Sequence, residues 1–254
     1  MSTAPTATSP GIAAPVAALP TVDLAGVNVP GCRSPHRPVV LLHGSFSTVG
    51  SNFSALLPTL RAAGRCVYGV NYGNGGIAAV TSSAGQAAAL VATVLTDTGA
   101  SAVDVIAYSQ GGLVLRTALR LGSLADEVGT AVLIAPSWNG TTSRAAASAP
   151  AALCPACADQ VANSPLLQRL RAGGELDGTV RYAEISTRAD IVVTPINSQI
   201  PAGPPDRVRS VVVEDICPAL VTDHVHLPAV RGVIAWTEAA LDTEGRPPDS
   251  AVTC

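Results

Sequence analysis

One hexapeptide limits the fold of this chain more than any other stretch of its sequence. Residues 107–112, Ala-Tyr-Ser-Gln-Gly-Gly, follow the largely apolar run Val103–Ile106 and precede the apolar run Leu113–Leu119. The first run predicts a buried strand and the second a helix, so Ser109 lies on a sharp strand-to-helix turn. Such a turn exposes the serine hydroxyl, and free N–H groups at the start of the helix can stabilise an oxyanion. The hexapeptide therefore predicts a serine nucleophile and acyl transfer.

The hexapeptide departs from the usual G-x-S-x-G pattern at its first position, where Ala107 replaces glycine. A methyl group is the smallest possible addition there, and Gly111 and Gly112 still allow the helix and the strand to approach closely. A serine before two glycines also occurs in ordinary turns. The alternative interpretation is therefore a turn without a chemical role.

Composition argues against charged partners. The chain has 254 residues, of which 13% are charged, and a net charge of -3. The sequence therefore predicts no basic surface that would bind nucleic acid or an anionic membrane. This length suits one α/β domain. Glycine, proline or a charge interrupts every apolar run before the roughly 18 residues that a membrane span needs, so we expect a soluble protein. The first residues lack a basic region and an uninterrupted apolar region, so we expect no export signal within this chain.

The cysteines indicate the compartment. Their even number, six, and their spread along the chain favour three disulfides and an oxidising environment, and the alternative is six buried thiols. Cys154 and Cys157 have the spacing of a redox pair or of half a zinc site. No second such pair exists in the sequence, and the preceding stretch does not read as a strand leading into a helix, so neither chemistry is favoured.

Strands alternate with helices along most of the chain. Residues 1–31 are rich in Ala, Pro and Thr and lack sustained periodicity, which predicts a tail that is disordered or laid over the surface, with order beginning near Cys32. Residues 32–254 are expected to form the catalytic domain. Its strands are continuously apolar, which predicts a mostly parallel sheet buried on both faces and flanked by helices. The predicted strands are 39–42, 66–72, 103–106, 131–135, 180–185 and 208–213, and the predicted helices are 54–63, 80–98, 113–119 and 229–241.

A serine nucleophile needs a histidine as base, and the chain has four histidines. His36 precedes the first strand beside Arg37 and Pro38, which indicates a surface position. His43 ends that strand before a glycine, which favours a role in supporting a loop. His224 and His226 follow the last strand, where the base of such an enzyme is expected, so both remain candidates for the base.

The acid that orients this histidine should lie between the serine and the histidine in chain order, at the carboxyl end of a strand. Asp190 fits, because it follows a predicted strand that ends near Ser186. Asp223 adjoins His224, and adjacent side chains seldom face each other, which favours a loop-capping role. The other aspartates in the interval that we weighed are expected in turns or on the surface; they are Asp177, Asp206 and Asp215.

These residues together resemble a known family, the secreted actinobacterial class 2 lipases of the α/β-hydrolase superfamily. The resemblance runs from about Cys32 to the C-terminus, and Ala107 and the second histidine, His226, are departures from the pattern. The motifs that carry it occur in the family's order: His43–Phe46, Ala107–Gly112, Ala135–Pro136 with Gly140–Thr142, Thr187–Pro195, and Cys217–Pro218 running to Asp223–His224.

The resemblance implies an α/β-hydrolase fold with a small cap at most, and hydrolysis of carboxylic esters without a metal or cofactor. Ser109, Asp190 and His224 match the triad positions, which favours His224 over His226. The backbone N–H groups of Ser45 and Gln110 would hold the oxyanion, with the Ser45 hydroxyl as a further donor. Together with chain order, the resemblance also favours three disulfide pairs, namely Cys32 with Cys66, Cys154 with Cys157, and Cys217 with Cys254.

Substrate choice is less visible in the sequence. The stretch 138–164, where hydrolases of this fold often carry a cap, is rich in Ala, Ser and Thr and predicts a small, mobile cover rather than a helical domain. We expect a secreted monomer that acts on triacylglycerols or short esters and transiently contacts lipid interfaces. The alternatives are a polyester hydrolase, an acyltransferase of the same fold, and a catalytically silent binding protein on a hydrolase scaffold.

Overall fold

A computed structural model describes residues 20–122, 124–143 and 150–254 of the chain. Most of the expected N-terminal tail, residues 1–19, and part of the expected cap, residues 144–149, lie outside these ranges. No helix in the described ranges is long and apolar enough to cross a membrane.

A six-stranded sheet forms the centre of the fold, and every strand pair in it is parallel. The strand order is β2-β1-β3-β4-β5-β6, which places the hexapeptide strand β3 next to the centre. Continuous apolar strands can be buried on both faces, and this requires helices on both sides of the sheet. The strands are β1 Val39–Leu42, β2 Val67–Gly69, β3 Val103–Tyr108, β4 Val128–Ile134, β5 Arg181–Ser186 and β6 Val208–Val212.

Helices cover the two faces and enclose two apolar cores. One core packs α4, α5 and the α6–α7 region against one face, and the other packs α1, α2 and α9 against the opposite face. The helices are α1 Val49–Phe53, α2 Leu57–Ala62, α3 Gly73–Gly76, α4 Val80–Thr98, α5 Gln110–Leu121, α6 Pro155–Gln160, α7 Pro165–Ala172, α8 Val213–Ile216 and α9 Arg231–Asp242. These layers confirm the predicted mostly parallel sheet flanked by helices.

The predicted helix over 54–63 is wrong in its bounds, because two short helices replace it. Thr48 and Ser51 form a capping box, so α1 already begins at Val49. Pro58 then lies in the first turn of α2, where proline is favoured because its missing N–H has no partner in a helix. In contrast, α4 spans the predicted residues, and Gly99 ends it in the left-handed conformation.

The packed chain begins earlier than the expected Cys32. Val27 is buried, and the side chain of Asn28 donates to the carbonyl of Gly69 and accepts from its N–H. The main-chain N–H of Asn28 also donates to the carbonyl of Val67. Residues 20–31 therefore lie along the edge strand β2, held by side-chain and main-chain hydrogen bonds that leave no periodic apolar signal.

The expected cap contains a short helix. Within 138–164, Pro155–Gln160 form α6, a single short helix in the stretch for which a small cover rather than a helical domain is predicted. Pro155 begins this helix, and the sulfur of Cys154 accepts a hydrogen bond from the N–H of Cys157 at its start. Proline at the first helical position and the local disulfide explain how a stretch rich in small residues forms a helix here.

Candidate active site

Ser109 lies between β3 and α5 in a strained backbone conformation, with φ 54° and ψ -120°. Such a conformation is rare for a residue with a side chain and lifts the hydroxyl out of the sheet. The turn can form because a Cβ atom at Gly111 would lie 2.2 Å from the carbonyl oxygen of Leu42, and one at Gly112 would lie 2.4 Å from Pro136. Both positions therefore require glycine for the helix to pack this closely.

The side chains of Ser109, His224 and Asp190 form a continuous hydrogen-bonded row. The Nε2 atom of His224 lies 2.9 Å from the hydroxyl of Ser109, and its Nδ1 atom lies 2.6 Å from Oδ2 of Asp190. All three residues are buried. With the proton on Nδ1, the imidazole donates to the carboxylate and accepts from the serine, so it can take up the serine proton.

The carboxylate of Asp190 is held from several sides. Its Oδ1 atom accepts the main-chain N–H groups of Val192 and Val193, each at 2.8 Å. Its Oδ2 atom accepts the side-chain amide of Gln199 at 3.0 Å, in addition to His224. Donors on both oxygens fix the orientation of this carboxylate toward the imidazole.

The remaining histidines lie apart from this row. His226 is exposed; its main-chain N–H donates to Asp223 at 2.9 Å and its Nδ1 atom contacts the same carboxylate at 2.8 Å, and these two hydrogen bonds lower the pKa of Asp223. His43 is buried and stacks on Tyr72 with ring centroids 4.0 Å apart, and burial lowers its pKa. His36 is exposed.

The other aspartates in the interval do not reach His224. Asp177 forms an ion pair with Arg120, and Asp215 forms one with Arg188. Asp206 lies on an exposed turn. Among these aspartates, Asp190 is the one whose carboxylate contacts the imidazole of His224.

Ser45 and Gln110 lie next to each other beside the nucleophile. Gln110 is the first residue of α5, so its backbone N–H has no acceptor within the helix. The Ser45 hydroxyl donates to Oε1 of Gln110 at 2.6 Å and accepts from Nε2 of Gln160 at 3.1 Å. The hydroxyl proton of Ser45 thus points at Gln110, and it would have to turn before it could serve as a further oxyanion donor.

A largely apolar pocket of about 500 Å³ opens in front of Ser109. Its lining includes Cys157, Val192 and Val193, and none of its described lining residues is Asp, Glu, Lys or Arg. The described residues also contain no group of three His, Cys, Asp or Glu side chains placed to hold a metal ion. The pocket therefore suits an uncharged, partly aliphatic ligand.

Comparison with known proteins assigns the chain to a family. The family model described as "Lipase (class 2)" matches residues 36–205. The chain belongs to the class 2 lipase family. No curated protein matches this class 2 lipase.

Solved structures similar to the class 2 lipase chain share its α/β-hydrolase fold. Aspergillus fumigatus lipase B has a TM-score of 0.76 at 22% identity, and the match covers 91% of this chain and 57% of that one. The mature form of Bacillus licheniformis lipase BlEst2 has a TM-score of 0.51 at 15% identity, with coverage of 63% and 68%. The esterase RhEst1 from Rhodococcus has a TM-score of 0.51 at 16% identity, with coverage of 83% and 92%. The class 2 lipase chain thus spans little more than half the length of the Aspergillus lipase.

Three disulfides have the pairing that the resemblance implied, Cys32–Cys66, Cys154–Cys157 and Cys217–Cys254, and the first of them lies away from this site. The second lies at the start of α6, and its Cys157 lines the pocket. The third joins the end of α8 to Cys254. Cys217 also begins the chain segment that leads to His224.

Sequence reasoning missed three polar side chains at this site. Gln199 contacts Asp190, Gln160 contacts Ser45, and the hydroxyl of Tyr108 donates to the main-chain carbonyl of His224 at 2.9 Å. Tyr108 lies next to Ser109 in sequence, but no local pattern indicates that its hydroxyl reaches His224. The two glutamines come from segments with no recognisable local motif.

Proposed function

We propose that this class 2 lipase is a serine carboxylic-ester hydrolase that acts on triacylglycerols and related esters. Ser109 is the nucleophile, His224 the general base and Asp190 the acid that orients it. The hydrogen-bonded row from Ser109 through His224 to Asp190, at the mouth of an apolar pocket, supports this assignment more than any other observation.

The proposed reaction has two halves with one acyl-enzyme between them. His224 takes the proton of Ser109 as its oxygen attacks the ester carbonyl, and the N–H groups of Ser45 and Gln110 hold the resulting oxyanion. The imidazolium, stabilised by Asp190, then protonates the departing alcohol. Water attacks the acyl-enzyme with His224 again as base, and the acid leaves while Ser109 regains its proton.

The rim of the pocket supports transient contact with a lipid interface. Phe46, Ile191 and Val225 are 71%, 79% and 68% exposed, and Phe46 and Val225 also line the pocket opening. Large apolar side chains that surround an opening favour contact with an apolar phase. We propose that the enzyme works as a monomer at such a surface, and that it is secreted, since three disulfides suit an oxidising compartment.

Replacement of the nucleophile tests the proposal. Ser109→Ala should fold normally and lose roughly 10³-fold or more in hydrolysis of p-nitrophenyl esters and emulsified tributyrin, because a triad member is removed. An organophosphate should label Ser109 alone, as read by peptide mass mapping. Label on another serine, or a variant that keeps most of its activity, would contradict the assignment. Activity on p-nitrophenyl esters that rises with acyl length would favour a lipase over a short-chain esterase.

A further inference from the structure

The loop that presents His224 has few attachments to the rest of the fold. His224 lies in an irregular segment between α8 and α9, and Val221 and Val225 on either side of it are 95% and 68% exposed. The described turn bonds of this segment join it to itself, such as the bond from the N–H of Leu227 to the carbonyl of Asp223. The imidazole is tied to Ser109 and Asp190, but those bonds change during the reaction.

One hydrogen bond attaches the main chain of this loop to the sheet. The hydroxyl of Tyr108, at the end of β3, donates to the carbonyl oxygen of His224 at 2.9 Å. In the described ranges, no other hydrogen bond joins the main chain of residues 218–226 to a residue outside 217–230. Tyr108 and Ser109 are neighbours in sequence, so this bond fixes the base to the strand that carries the nucleophile.

We infer that Tyr108 is a positioning residue for the general base, which it holds in register with Ser109 through the His224 carbonyl. The inference rests on the proposed function, because it assigns His224 as base. Displacement of a base by a fraction of an ångström lengthens the proton transfer from the serine, and such errors of position are costly in rate.

The environment of the Tyr108 hydroxyl suits a permanent anchor. Burial, together with the nearby charges of Asp190 and Asp223, raises the pKa of Tyr108 far above neutrality, so the hydroxyl stays a donor over the working pH range. Its ring lies 5.3 Å from the imidazole of His224 and lines the pocket. A phenylalanine would preserve the ring contact and the pocket lining and remove only the anchoring oxygen.

Tyr108→Phe therefore removes only the hydrogen bond to the His224 carbonyl, and Tyr182→Phe is a matched control. Tyr182 is also buried on a strand, and its hydroxyl accepts a single hydrogen bond, from the N–H of Asp177 at 3.3 Å, away from the site. We expect Tyr108→Phe to lower kcat roughly tenfold with KM unchanged, and to slow organophosphate labelling of Ser109 by the same factor. Tyr182→Phe should keep kcat.

A spectroscopic measurement distinguishes displacement of His224 from a general loss of protein stability. In the unaltered enzyme the His224 Nδ1 proton, held against Asp190, should give a downfield proton resonance, which should broaden in Tyr108→Phe and persist in Tyr182→Phe. A normal kcat in Tyr108→Phe, an equal loss in both variants, or a loss confined to KM would overturn the inference. If Ser109→Ala is inactive while Tyr108→Phe is normal, the positioning role alone fails. If Ser109→Ala is active, the proposed function fails.

Discussion

The division of labour between two histidines is decided by their surroundings. His224 is buried against Ser109 and Asp190, whereas His226, two residues later, is exposed and contacts Asp223. Two positions of one turn thus place one histidine in a buried hydrogen-bonded row and the other in solvent. The spacing of residues along the sequence left both histidines as candidates for the base.

Substitution of each histidine tests this division. His224→Ala should cost nearly as much activity as loss of the serine, roughly 10³-fold or more, because the serine loses its base. His226→Ala should change the rate by less than about threefold, since exposed pairs such as His226–Asp223 contribute little. Both rates are read from initial velocities on a p-nitrophenyl ester. The reverse ranking would transfer the role of base to His226.

Glu184 is a buried carboxyl group that the proposed reaction does not use. It is fully buried on β5, and the Ser210 hydroxyl donates to one of its oxygens, while the other has no partner among the described residues. Burial raises the pKa of Glu184 from 4.5 to about 8. The folded protein therefore holds it protonated at neutral pH.

This raised pKa predicts a loss of stability with rising pH. Between pH 4.5 and about 8 the unfolded chain ionises Glu184 while the folded chain does not, so the unfolded state binds fewer protons. Its contribution is complete below pH 4.5 and falls as the pH rises through about 8. By calorimetry, Glu184→Gln should reduce the fall in Tm between about pH 5 and about pH 8 by roughly 5 °C or more. Parallel Tm profiles for the two proteins would contradict this explanation.

At the residue scale, contacts between sequence neighbours could be predicted more readily than contacts between distant residues. Ser109 was found because its strand, turn and helix are neighbours in sequence. Gln199 contacts Asp190, which is 9 residues away, without a recognisable motif, and Tyr108 bonds to a carbonyl 116 residues away. A main-chain carbonyl carries no sequence signature, so no pattern could have indicated that bond.

At the scale of elements, two of the disulfides constrain very different lengths of chain. Cys217–Cys254 closes a loop with a sequence separation of 37, and Cys154–Cys157 closes one with a separation of 3. In the chain-entropy model these loops correspond to about 4 and about 2 kcal/mol of stability, respectively. The longer loop also includes the segment that carries His224.

Removal of each bridge by serine pairs tests this difference. Cys217→Ser with Cys254→Ser should lower Tm more than Cys154→Ser with Cys157→Ser, and it should also cost more activity, because the base loop loses an attachment. Both pairs are compared by calorimetry and by ester hydrolysis, with peptide mapping to verify the remaining bridges. An equal or larger loss in the Cys154–Cys157 pair would show that α6 matters more to the site than the base loop.

Helices and strands could be predicted where the local sequence carried one strong secondary-structure signal. The alanine-rich run over residues 80–98 indicated α4, and continuous apolar residues indicated the central strands. The region after Ser54 was predicted as one helix because its apolar residues have helical spacing. Instead, Thr48 caps a helix that ends at Phe53, and a second helix with Pro58 in its first turn begins at Leu57; periodicity reports neither helix start.

At the scale of the molecule, the parallel sheet gathers the site at one edge. Ser109 follows β3 and Asp190 follows β5, and parallel strands bring their carboxyl ends to the same side. His224 comes from a loop that is tied to this edge through Tyr108. The architecture was predictable because it depends on many apolar residues at once, whereas the exact placement of the base depends on a few polar contacts.

His224, the proposed base, lies on a loop, and this predicts two temperature limits for the proposed activity. Release of His224 requires a few hydrogen bonds to break, whereas loss of the sheet requires two apolar cores to separate, and local opening needs less free energy than global unfolding. Turnover in a heated reactor therefore declines before the protein denatures, and the loss reverses on cooling. If the protein is heated and then assayed at room temperature, the result therefore overestimates the temperature range in which it turns over substrate.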